Sequence, residues 1–173
     1  GRDGYRIIDT TKAKNGKITL SQRGAPAVGD MAPDIVMYDW LADKNVNLSD
    51  YRGQVVYLDF WASWCPPCQA PMAKNNELMI KNKKAWKGKA VIIGVSGEHD
   101  LSDIKRHVEK TAWKAVPQYW AKDQKEGMQE ALATYGVTKF PTAFMIDQKG
   151  KIIWKGHPAE HNTEEHINKL LKK

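Results

Sequence analysis

The chain has 173 residues, 42% hydrophobic and 27% charged, which suits one globular domain with a sizeable core. Lys and Arg total 27 against 20 Asp and Glu, a formal charge of +7, with much of the excess in Lys81, Lys83, Lys84, Lys87, Lys89, Lys169, Lys172 and Lys173. No zinc-finger spacing, RNP-like stretch or Arg-rich helix accompanies that charge, so no nucleic-acid partner is read; the longest apolar stretch, Ala90 to Val95, is too short to span a bilayer.

In chain order, Tyr5-Arg6-Ile7-Ile8 and Ile18-Thr19-Leu20 flank Asn15-Gly16 and predict a loose hairpin. Gly24 to Pro33 is interrupted by Gly and Pro and reads as an extended lead-in. We divide the chain into an N-terminal extension, residues 1–30, and a domain, residues 31–173. The first residues are polar and begin without Met, which leaves room for an upstream domain or anchor. Ile35 to Trp40 and Val46 to Leu48 predict a short hairpin, and Gln54 to Trp61 the first central strand. A helix is expected from Cys65 to Ala85, with Pro71 as a kink point.

Ala90 to Ser96 reads as a second buried strand, and Leu101 to Thr111 as a helix capped by Asp100 or Ser102. Glu98, His99 and Asp100, between them, end the second strand on the side where parallel-sheet sites collect, and capping or solvated roles are favoured over tuning of the thiols. Val116 to Trp120 predicts a short strand, and Glu126 to Tyr135 a helix stopped by Gly136. Thr142 to Asp147 and Lys151 to Lys155, joined at Gln148-Lys149-Gly150, predict an antiparallel hairpin, and a last helix opens with Thr163 as its cap. Strands alternating with helices and ending in a hairpin place the chain in the α/β class, with a central mixed sheet covered on both faces.

The most informative feature is Cys65-Pro66-Pro67-Cys68, which holds the only two cysteines. It follows the apolar run Val55 to Trp61, broken by Asp59 alone, so the sulfurs fall at a strand-to-helix junction. A helix N-terminus stabilises an anion, so a thiol there ionises near neutral pH and becomes a nucleophile. Zinc requires four ligands, and neither a second cysteine pair nor suitably spaced histidines accompany this one. A bridge across two intervening residues closes too short a loop to act as a staple. Redox chemistry is favoured over a zinc site or a structural bridge. Asp59 would be costly if buried and charged, so its pKa should rise, which suits a proton acceptor for the Cys68 thiol. A strand-end aspartate facing solvent is the alternative.

Asp59-Phe60-Trp61-Ala62-Ser63-Trp64-Cys65-Pro66-Pro67-Cys68, then Tyr135-Gly136-Val137 and Phe140-Pro141-Thr142, resemble the thioredoxin superfamily. Gly29 to Asp34, Leu48 to Gly53, and Met145-Ile146-Asp147 with Gly150-Lys151-Ile152 resemble its TlpA/ResA branch of thiol-disulfide oxidoreductases, with tryparedoxin and nucleoredoxin as relatives. The resemblance implies a thioredoxin-like fold with an insertion after the second central strand, and disulfide exchange with protein thiols and disulfides. No cofactor or metal is implied. It implies that Cys65 is the exposed nucleophile and Cys68 the resolving thiol, that Asp59 matches the family's buried acid, and that Phe140–Pro141 is cis. Trp64, Pro66, Pro67, Phe140 and Pro141 are then expected to border the substrate groove, and Trp61 either to border it or to pack in the core. Gln69-Ala70-Pro71 departs from the branch, which usually carries a basic then an acidic residue after the second cysteine. An exported or organellar setting is favoured over the cytosol. Two rivals are weighed: a thiol peroxidase, disfavoured because Ala62 stands where that site wants Thr, and a thioredoxin-fold scaffold subunit with little catalytic role.

Overall fold

The computed structural model describes residues 24–122 and 130–173. The hairpin expected over residues 5–20 lies outside them, as does the start of the helix expected at Glu126.

Strands β1 (Val36–Asp39) and β2 (Lys44–Asn47) form the first antiparallel pair. Leu48, expected in the second strand, instead opens a 3-10 turn, Leu48–Tyr51. The reason is the side chain of Asp34, which accepts from the Ser49 N–H at 2.8 Å and from the Asn47 amide at 3.0 Å. Those bonds pull the chain out of the ladder. The central strands follow as expected: β3 (Val55–Trp61) and β4 (Ala90–Ser96), parallel and buried along their full length.

Between them lie α1 (Pro66–Lys81) and α2 (Lys83–Trp86), two helices where the sequence predicts one. The break is at Asn82, whose side-chain amide donates to the Leu78 carbonyl at 3.0 Å in competition with the backbone. Trp86 then anchors α2 by donating from its indole to Asn168 at 2.9 Å. Helix α3 (Leu101–Thr111) is capped by Asp100, which accepts from the Ser102 N–H at 2.8 Å. Strand β5 (Gln118–Trp120) pairs parallel with β4 and antiparallel with β1, so the insertion closes the sheet between them.

The described part of the next helix, α4, spans Glu130–Thr134. Gly136 ends it with φ at 62°, a conformation that a side chain strains. Strands β6 (Thr142–Ile146) and β7 (Ile152–Gly156) make the closing hairpin. Helix α5 (Thr163–Leu171) is capped by Asn162, one residue before the expected Thr163. Asn162 accepts from the Glu165 N–H at 3.3 Å, while Thr163 is buried in the first turn.

The sheet has seven strands in the order β2-β1-β5-β4-β3-β6-β7. Helices α1, α2, α3 and α5 cover one face around Tyr57, Trp61, Met72, Ile104 and Ile167. Helix α4 and the lead-in cover the other, around Leu58, Phe60, Tyr135 and Phe144. The lead-in is fastened along β7: Gly29 N–H donates to the Ile152 carbonyl at 2.8 Å, and Ile152 N–H to the Asp30 carbonyl at 2.9 Å.

Candidate active site

At the C-terminal end of β3 the chain turns through Ala62-Ser63-Trp64, and Cys65 caps α1 with extended backbone, φ −93° and ψ 105°. Cys65 and Cys68 are joined in a disulfide with Cα atoms 5.4 Å apart. Cys65 is 3% exposed and Cys68 1%, so the first cysteine is scarcely more accessible than the second, in contrast to the expected open nucleophile. What distinguishes them is position: Cys65 precedes the helix and Cys68 lies within its first turn. Pro66 and Pro67, both exposed, occupy the first two helical positions and carry no N–H. Of the donors a helix start normally offers, the motif therefore lacks the first two, and the Cys68 N–H is spent on the Cys65 carbonyl at 3.2 Å. Stabilisation of a Cys65 thiolate falls mainly to the helix field.

The turn is held from two sides, by Gln69 with His107 and by Glu98. Gln69 donates from its amide to the carbonyls of Cys65 at 3.0 Å and Ser63 at 3.2 Å. That orientation leaves its oxygen as acceptor, 2.8 Å from His107 Nε2, so His107 carries a proton on Nε2. Burial lowers the His107 pKa. On the other side the Ser63 hydroxyl donates to the Glu98 carboxylate. Glu98, assigned a solvated or capping role from the sequence, is 4% exposed. Its backbone carbonyl accepts from the Trp120 indole at 2.8 Å, and its carboxylate accepts from Ser96 at 3.3 Å. The insertion strand β5, by presenting Trp120, draws this corner inward.

Trp64 is 68% exposed and meets Phe140 edge-on, ring centroids 5.9 Å apart. The Phe140–Pro141 peptide is cis, and Pro141 is buried. Thr142 pairs with Phe60, so Pro141 lies opposite the point where β3 gives way to the cysteine turn. Gly97 permits this arrangement, because a Cβ there would collide with the Phe140 ring. The structure thus gathers Trp64, Cys65, Pro66, Pro67, Cys68, Phe140 and Pro141 at one end of the sheet. Trp61, by contrast, is fully buried, donating from its indole to Gln118 at 3.0 Å.

Asp59 lies inside β3 and is 1% exposed, so the solvent-facing alternative is excluded. Its sheet neighbours are Gly94 and Ala143, both small. Burial pushes its pKa up to about 8, against the opposing hydrogen bond from Asn75. Asn75 donates from Nδ2 to Asp59 Oδ2 at 3.0 Å, whereas Oδ1 has no partner among the described residues. Asn75 also went unselected, although its spacing places it on the buried face of α1 with Cys68, Met72 and Leu78. Tyr57, two residues earlier on the same face of β3, has its hydroxyl buried; burial, then the Asp59 charge, raises its pKa against an opposing hydrogen bond from Thr163.

Comparison with known proteins agrees with this geometry. The redoxin family matches residues 27–171. The chain is 36% identical over 145 residues to the thiol-disulfide oxidoreductase ResA of Bacillus thuringiensis subsp. konkukian, covering 83% of this chain and 78% of that protein. It is 33% identical over 154 residues to ResA of Geobacillus thermodenitrificans, covering 87% and 82%. A thiol:disulfide interchange protein from Bacteroides sp. has the same fold, with TM-score 0.63, 29% identity, and coverage of 84% of this chain and 89% of that one. The chain belongs to the redoxin family.

Proposed function

We propose that this redoxin-family chain, a thiol-disulfide oxidoreductase, exchanges disulfides with protein partners in two steps led by Cys65. In the reducing direction the Cys65 thiolate attacks one sulfur of a partner disulfide. The partner's S–S bond breaks, a mixed disulfide forms, and the released partner sulfur takes up a proton. Cys68 then passes its proton to Asp59 and attacks Cys65. The partner leaves with both sulfurs reduced, and two electrons have moved from this chain to it. The oxidising direction runs the same steps backwards.

The observation that carries the reading is a paired dithiol at a helix start with a buried carboxylate on the adjoining strand. A carboxyl whose pKa is about 8 stands close enough to neutrality to take and return a proton. Trp64 and Phe140, with Pro66, Pro67 and Pro141, supply the apolar border against which a partner chain would lie. We assign this chemistry to residues 31–173 and treat residues 1–30 as an extension. Insulin disulfide reduction with dithiothreitol tests the activity. Trapping tests the order: Cys68→Ser should accumulate mixed disulfides and Cys65→Ser should not, and equal trapping by both would reverse the assignment.

A further inference from the structure

We propose that Asn75 is the positioning residue for Asp59: it holds Oδ2 and so dedicates Oδ1 to proton exchange with Cys68. The inference rests on the proposed role of Asp59 and deepens it. A polar side chain on the apolar face of α1, between Met72 and Leu78, is costly unless hydrogen-bonded. Asn75 is 3% exposed and donates to Asp59 Oδ2 at 3.0 Å. Because Oδ2 accepts from an amide, the proton of the neutral carboxyl sits on Oδ1, which is buried and has no partner among the described residues. The two oxygens are thereby made unequal. Asn75 also shares its helix face with Cys68, so one rigid element sets the acid and carries the thiol that uses it.

The surroundings leave few competitors for control of Asp59. Its neighbours in the sheet, Gly94 on β4 and Ala143 on β6, do not titrate. Tyr57 lies on its own strand, and His161 stacks on that ring with centroids 5.3 Å apart. Helix α1 contributes Cys68 and the uncharged Asn75. In the resolving step Cys68 Sγ–H gives its proton to Asp59 Oδ1, its sulfur bonds to Cys65 Sγ, and the bond from Cys65 to the partner sulfur breaks. That step needs ionised Asp59, which a donated hydrogen bond favours.

The test follows release of thionitrobenzoate from a mixed disulfide at Cys65 across pH, with the reduced protein's Asp59 carboxyl band titrated by infrared spectroscopy. Asn75→Leu should raise both midpoints by about one unit, the shift expected on losing a hydrogen bond to a charged acceptor. Release should then slow about tenfold near pH 7 and recover at high pH, a pattern that a merely loosened fold does not produce. Asn75→Ala should show the same shift if the leucine does not fold, and Asn75→Gln should restore part of it. An unmoved infrared midpoint would overturn the proposal, as would a slowing equal at every pH. If the infrared midpoint rises while release keeps its profile in both Asn75→Leu and Asp59→Asn, control of Asp59 by Asn75 stands and Asp59 as proton acceptor falls.

Discussion

The two faces of β3 are built from alternate residues of one seven-residue strand, yet they do different work. Val56, Leu58 and Phe60 face α4 in a layer of aliphatic and aromatic side chains whose tyrosine hydroxyls are hydrogen-bonded. Phe60 packs against Tyr135 and Phe144 with ring centroids at 5.5 and 6.0 Å, and Tyr135 donates from its hydroxyl to the Pro33 carbonyl at 2.6 Å. Tyr57, Asp59 and Trp61 face α1 and α5, and that layer contains a raised carboxyl, a buried tyrosine hydroxyl and the disulfide. One face is optimised for packing, while the other keeps polar groups dry at a cost in stability, as the proposed proton transfer to Asp59 would require.

The sharpest break of this contrast is at the dithiol. Cys65→Ser should reduce insulin-reduction activity to background while leaving the melting temperature of the reduced protein nearly unchanged; a large loss of stability would make the motif structural. Next in size is the apolar face, where Phe60→Ala should cost about 3–5 kcal/mol in urea unfolding and leave the folded fraction active. Loss of activity without loss of stability would show the two faces to be coupled.

Asp59→Asn should do the reverse, slowing resolution near neutral pH while raising stability. The sign follows from the direction of the shift. The folded pKa of about 8 exceeds the ordinary carboxyl value, so protonation favours the fold, and stability falls as pH rises between the two values. His161 opposes this at lower pH: burial, then His166, holds its pKa at about 4, so its stabilising neutral form is lost as pH falls below the ordinary imidazole range. Wild type should therefore weaken chiefly between about pH 6.5 and 8, and Asp59→Asn should exceed it by roughly 2–4 kcal/mol at about pH 9. Denaturant titrations showing no growth of that gap with pH would remove Asp59 as a source of strain.

The smallest effect belongs to the rim. Trp64 is 68% exposed, so Trp64→Ala should change stability by no more than about 0.5 kcal/mol. It should raise KM for protein disulfides while leaving reaction with a small disulfide unchanged. A matching loss on both substrates would place Trp64 in the chemistry and not in partner contact.

The sequence alone determined the α/β class and the strand-turn-helix around Cys65 and Cys68, and favoured a buried acid at Asp59, because hydrophobic periodicity and a short motif are local properties of the chain. Spacing also put Asn75 on the inner face of α1, but nothing local distinguished an asparagine satisfied by Asp59 from one turned to solvent. Glu98 was misread for the same reason: its burial depends on Ser63 and on Trp120 from β5, residues distant in sequence. Gln69 and His107 meet only because α3 packs beside α1. The break at Asn82 and the cap at Asn162 were settled by side chains choosing among nearby backbone partners. Tertiary structure decided each of these, since the energy of a polar group is set by what surrounds it once water is gone.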